Sequence, residues 1–205
     1  SDDKPDVTSA DDVPFPAYWI VPPALPSAQP GMHRFAWDFH AAGAAQRRRR
    51  RGGDGPFVPP GRYTVRLTVA GKTFTQSLLV RRDPRVRASD ADLVAQYRLA
   101  IDVDNELARL NAAIAAADAA RKKPGAEVAH IDAIAGTPPL NNPRNSIGVL
   151  PTVFTTLRWY ASALGTLEGA IESADTAPTV DERARWDDLH TASDRALTAW
   201  SALGT

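Results

Sequence analysis

Five consecutive arginines, Arg47, Arg48, Arg49, Arg50 and Arg51, are the densest charge in the chain and the first place to look for chemistry. A run of this kind can neutralise several phosphates, so polyanion binding is the chemistry it offers. Its neighbours argue against nucleic acid. Ala44, Ala45, Gly52, Gly53 and Asp54 surround it, and none of them is an aromatic side chain that could stack on a base. The run also falls between two expected strands, where a solvated connection is the ordinary occupant. A polyanion contact, if any, is assigned to these five residues alone, and nucleic acid is not an expected partner.

The other chemistry-bearing residues do not converge. Of the four histidines, His33, His40, His130 and His190, none stands at metal-ligand spacing to another on one element, and the seven-residue step from His33 to His40 puts them on opposite faces of a strand. Asp102 and Asp104, two apart on an expected helix, face different ways, while Glu168, Glu172, Asp187 and Asp188 fit exposed positions. No pair of carboxylates for glycosidic cleavage is assignable from them. A Gly-x-Ser-x-Gly elbow, a phosphate-binding loop and a dinucleotide fingerprint are all missing. Trp19, Trp37, Trp159, Trp186 and Trp200 offer floors for a sugar, yet Trp37, Trp186 and Trp200 fall on apolar faces and read as core. The expectation is no catalytic residue, no cofactor and no metal ligand in this chain.

Bulk composition agrees. Lys plus Arg and Asp plus Glu number 24 each among 205 residues, which removes any global electrostatic case for polyanions or membrane surfaces. Zero cysteines exclude disulfides, thiolate zinc sites and thiol nucleophiles. No apolar run approaches the ~20 residues that span a bilayer, so membrane insertion is not expected. The acidic, proline-dotted start, Ser1 to Asp12, reads as an interdomain linker of a longer protein.

The elements divide at a change of period. From about residue 13 to 83 aromatic and β-branched residues alternate. In "GRYTVRLTVAGKTFTQSLLV" Tyr63, Val65, Leu67 and Val69 share one face, Ala70, Gly71 and Lys72 turn the chain, and Phe74, Gln76, Leu78 and Val80 return on one side, which predicts a β-hairpin with that face inward. "HRFAWDFH" and "FPAYWIVPP" supply further extended segments, and four such strands predict a small antiparallel sandwich over 13–83.

From residue 84 to 205 the period is helical. Ser89 and Asp92 form a capping box, and Ala100, Val103, Leu107, Leu110, Ile114 and Ala117 make one seam that stops at Lys122 to Gly125. A short helical turn is expected within 125–135. Ile147, Leu150, Phe154, Leu157, Ala161, Leu164 and Ile171 predict a second long helix. Thr179 and Glu182 cap a third, which carries Trp186, Leu189, Ser193, Leu197 and Trp200. The reading is α+β: an Ig-like β-sandwich followed by an antiparallel bundle of three or four helices.

"VPFPAYWIVPP", "GMHRFAWDFH", "PPGRYTVRLTVAGKTFTQSLLVRRDPRV" and "SADTAPTVDERARWDDL" together resemble the carboxy-terminal region of bacterial sortilin-like, BNR-repeat β-propeller proteins, often labelled glycosyl hydrolases. The hairpin is also similar to the Ig-like module of the flagellar hook-capping protein. The resemblance implies a secreted or periplasmic parent, a noncatalytic accessory module beside the propeller, and protein or glycan partners. Asp-box repeats, Ser/Thr-x-Asp-x-Gly-x-x-Trp/Phe, are absent from this chain, so any sialidase-like glycoside hydrolase site would lie in the parent's propeller.

Overall fold

A computed structural model describes residues 29–44, 55–137 and 155–203. The elements run β1 (Gly61–Val69), β2 (Lys72–Val80), α1 (Asp90–Ala120), α2 (Val128–Ala135), α3 (Leu157–Ile171) and α4 (Val180–Ala202). The chain divides into two compact units, residues 1–38 with 139–149, and residues 39–138 with 150–205. The second unit carries all six elements.

The helices start where local chemistry makes them start. The Ser89 hydroxyl accepts the Asp92 amide at 3.2 Å while the Asp92 carboxylate accepts the Ser89 amide at 2.9 Å, a reciprocal box that satisfies two orphan donors of α1. Thr179 and Glu182 repeat it at α4, at 3.2 and 2.7 Å. Thr156 caps α3 by accepting the Trp159 amide. The helix expected from residue 147 therefore begins, within the described residues, at Leu157; Ile147, Leu150 and Phe154 lie outside them.

Gln96 near the start of α1 donates to the Ile171 and Ala174 carbonyls at the end of α3, and Arg158 at the start of α3 pairs with Asp118 near the end of α1 at 2.5 Å. These two links, at opposite ends, make α1 and α3 antiparallel. Their facing seams, with α4 against both, bury Val103, Leu107, Leu110, Leu157, Leu164, Leu189 and Trp200 in one core. Each such aliphatic side chain contributes on the order of 2 kcal/mol of transfer free energy.

The β half differs from the expected Ig-like sandwich. Among the described residues there is one sheet of two strands, β1 and β2, so the fold is α+β with a small sheet beside four helices. The segment "HRFAWDFH" forms no strand. It contributes only an isolated antiparallel bridge, His40 to Phe57, because Phe39 adopts φ 63°, a left-handed conformation that ends the strand alternation. "FPAYWIVPP" lies outside the described residues.

The hairpin itself forms, with Tyr63 opposite Leu78, Val65 opposite Gln76 and Leu67 opposite Phe74, and Lys72, expected in the turn, instead pairs with Val69. Ala70 and Gly71 both have positive φ, 47° and 75°, the two-residue turn whose twist matches the flanking strands. Its apolar face, expected inward, points to solvent.

Candidate interaction surface and the buried polar clusters

β1 and β2 place Tyr63, Val65, Leu67 and Val69 beside Phe74, Gln76 and Leu78 on one face, and Arg62, Thr64, Arg66 and Thr68 beside Thr73, Thr75, Ser77 and Leu79 on the other. Among the described residues, the contacts of this ribbon with the rest of the chain lie at its base. The Tyr63 hydroxyl donates to the Pro59 carbonyl at 2.6 Å, and burial, followed by the nearby Tyr97 of α1, raises the Tyr63 phenol above its ordinary pKa. Beyond that base, Val65, Leu67, Val69 and Phe74 keep 51, 57, 53 and 58 % of their surface exposed. Such a two-stranded ribbon is marginal alone, and its exposed row of large apolar side chains makes it the candidate interaction surface.

The ribbon is also basic. Between residues 55 and 82 there are five cations, Arg62, Arg66, Lys72, Arg81 and Arg82, and no Asp or Glu, in a chain whose net charge is zero. A connector fixes the ribbon to the helices: Arg82 pairs with Asp90 at the start of α1 and donates to the Val86 carbonyl. Within it Arg85 bonds Asp83 at 2.6 Å, which holds the Asp83 carboxyl below its ordinary range.

The arginine run, Arg47–Arg51, lies outside the described residues, but its stem is described. Ala41 donates to the Pro56 carbonyl at 2.9 Å and Val58 donates to the Phe39 carbonyl at 2.8 Å, with the His40 ring 3.8 Å from that of Phe57. Gly55 is buried here with no room for a side chain, since a Cβ would stand 2.7 Å from the Ala41 oxygen. The stem rests on carboxylates: Ala44 donates to Asp104 of α1 at 2.6 Å, and Phe57 donates to Glu172 just after α3 at 3.2 Å.

Asp104 and Glu168, expected on solvated helix faces, are each only 1 % exposed. Asp187, Asp188 and Asp102 are on the surface as expected. The reason is that α1 packs on both α3 and α4, so its buried strip is wider than the apolar seam and takes in Asp104 and Glu106 beside it.

Glu106 joins α1 to α4. Its carboxylate accepts the Ser193 hydroxyl at 2.6 Å and the Arg109 guanidinium at 2.6 Å, and Arg109 reaches on to Asp194 at 2.7 Å. The hydrogen bond to Asp194, and then the charge of Glu106, raise the Arg109 pKa further. His190 stacks on Trp186 at 4.7 Å and lies 3.6 Å from Glu106. Serine, histidine and carboxylate thus meet, but not as a nucleophilic array: the Ser193 hydroxyl is fully buried and donates to the Glu106 carboxylate and the His190 backbone carbonyl rather than to the His190 ring. It is a helix clamp.

A second cluster closes α2. The Gly136 carbonyl accepts Arg121 at 3.1 Å and Arg158 at 3.2 Å, Arg121 pairs with Asp132, and cations thereby meet the negative end of the helix. Below it a shallow cleft of about 290 Å³ is lined by Lys123, Glu127, His130 and Leu203. Among the described residues no group of three His, Asp or Glu could hold a metal ion.

Each histidine has its own local partner. His33 bonds the Gln29 carbonyl within the first unit, His130 is exposed near Glu127, and His40 and His190 pack against rings. Trp200 is buried as expected and Trp186 partly so, whereas Trp19 lies outside the described residues. No helix among the described residues is long and apolar enough to cross a membrane.

No family model matches the chain, and no curated protein or solved structure matches it.

Proposed function

We propose that this chain is a noncatalytic accessory module of a larger secreted β-propeller protein and that the β1–β2 ribbon is its protein-binding surface. One observation carries the reading: large apolar side chains at Val65, Leu67, Val69 and Phe74 stand exposed on one face of a ribbon whose contacts with the bundle, among the described residues, lie at its base. Exposing such a row costs stability and solubility, and a partner that covers it recovers both. The titratable groups that do meet, around Glu106 and around Gly136, hold helices together. The attachment to a propeller rests on the resemblance of the quoted segments.

Polyanion binding through Arg47–Arg51 is the weaker reading, because the stem of that run rests on Asp104 and Glu172, whose negative charge opposes an anionic ligand. Hydrogen exchange tests the proposal. In the full-length protein the amides of Val65 to Val69 exchange more slowly than in the 205-residue chain, and equal exchange in both overturns it.

A further inference from the structure

We propose that the outer edge of β1 accepts an extended segment of a protein partner as a third strand. The segment carries acidic side chains four positions apart and apolar side chains at the two alternate positions between them. This rests on the reading of the ribbon as a binding surface and names the chemistry of its partner.

Among the described residues β1 pairs with β2 on one side and with no strand on the other, so alternate amides and carbonyls of Gly61–Val69 point outward along an edge without proline. The two faces at that edge then specify the occupant. On one face Val65, Leu67 and Val69 are exposed and select apolar neighbours. On the other, Arg62 and Arg66 stand two face positions apart with Thr64 between them, and both are exposed. A strand laid in register places one of its side chains about 5 Å from each, where an opposite charge is favourable and a like charge is not.

β2 offers no such pattern, since its corresponding face carries Thr73, Thr75, Ser77 and Leu79. A second copy fits poorly for the same reason. Antiparallel pairing of two β1 edges about Thr64 sets Arg62 against Arg66 twice, which is how a basic edge resists self-association. The absence of any acidic residue between 55 and 82 leaves the partner to supply the negative charge.

The probe is a labelled, end-capped peptide, Thr-Val-Glu-Val-Thr-Val-Glu-Val-Thr, with a control in which both Glu are Lys, titrated by fluorescence anisotropy against the 205-residue chain. The Glu peptide is expected to bind about tenfold more tightly than the Lys peptide, and Arg62→Glu with Arg66→Glu is expected to reverse that order. Equal binding of both peptides, lost in Leu67→Thr, overturns the acidic-strand inference while the binding-surface reading stands. No binding of either peptide overturns strand addition, and the ribbon's role as a surface is then decided by the exchange comparison in the full-length protein. Self-association that disappears in Leu67→Thr makes a second copy the occupant and also overturns it.

Discussion

Replacing Ser193 by alanine removes one hydroxyl from the centre of the α1–α4 interface and leaves the backbone and the Cβ in place. That hydroxyl is fully buried and donates at 2.6 Å to Glu106, which is itself 2 % exposed and keeps its second contact to Arg109. A hydrogen bond to a charged, buried acceptor is worth roughly 1.5–3 kcal/mol, and the void left by one oxygen adds little. The carboxylate is not orphaned, because Arg109 remains, so a cost of about 2 kcal/mol is expected. In thermal unfolding this is a fall of roughly 4–8 °C for a chain of this size. Urea unfolding followed at 222 nm measures it. Glu106→Gln, whose amide cannot accept both donors, is expected to cost about as much, and the double variant less than the sum by about 1 kcal/mol. A Ser193→Ala change below ~0.5 kcal/mol, or strict additivity with Glu106→Gln, would falsify the clamp.

Gly136→Ala forces an L side chain to φ 83° and sets its Cβ 2.8 Å from the Thr156 hydroxyl that caps α3, so a loss of roughly 1–3 kcal/mol is expected in the same assay. Ala70→Asn places a residue that tolerates left-handed backbone at φ 47° in the hairpin turn; a gain of about 0.5 kcal/mol is expected, read as roughly twofold slower amide exchange at Leu67 and Phe74. Acid should weaken the start of α1. The Asp92 carboxyl lies below its ordinary value of 3.8 because the Ser89 hydroxyl and amide donate to it, so its contribution is full above that value and is lost as pH falls through the lower folded one. Asp92→Asn is expected to flatten the dependence of the urea midpoint on pH below about 3.8 and to leave its slope above pH 5 unchanged.

What could be read from residues alone was what is settled locally. Ser89 with Asp92 and Thr179 with Glu182 announce helix starts because the donor, the acceptor and the turn that joins them lie within four residues. The turn at Ala70 and Gly71 between alternating strands announces the hairpin in the same way, although Lys72 belongs to the strand rather than the turn. The sandwich was not legible, since alternation at residues 34–40 says only that a face is apolar. Whether a strand forms there depends on a distant partner, and at Phe39 the backbone turns left-handed instead. The buried acids were missed because a period reading assigns charge to solvent, while α1 is covered on two sides. One signal pointed to them: Ser193 falls in the apolar seam of α4 between Leu189 and Leu197, and a buried hydroxyl requires a polar partner on the facing helix, which is Glu106. The arginine run itself lies outside the described residues. Its stem, held by Asp104 and Glu172, was not legible.

The apolar face of the ribbon is either a surface or a part of the core. Leu67→Thr with Phe74→Thr keeps strand propensity and removes that face at its centre, where the two side chains pair and each remains more than half exposed. Urea unfolding of the 205-residue chain, followed at 222 nm, decides it. If the face is a surface, the loss is below about 1 kcal/mol, the worth of one cross-strand pair, with unchanged helical signal. A loss of about 4 kcal/mol or more, the cost of emptying two core positions, contradicts that reading.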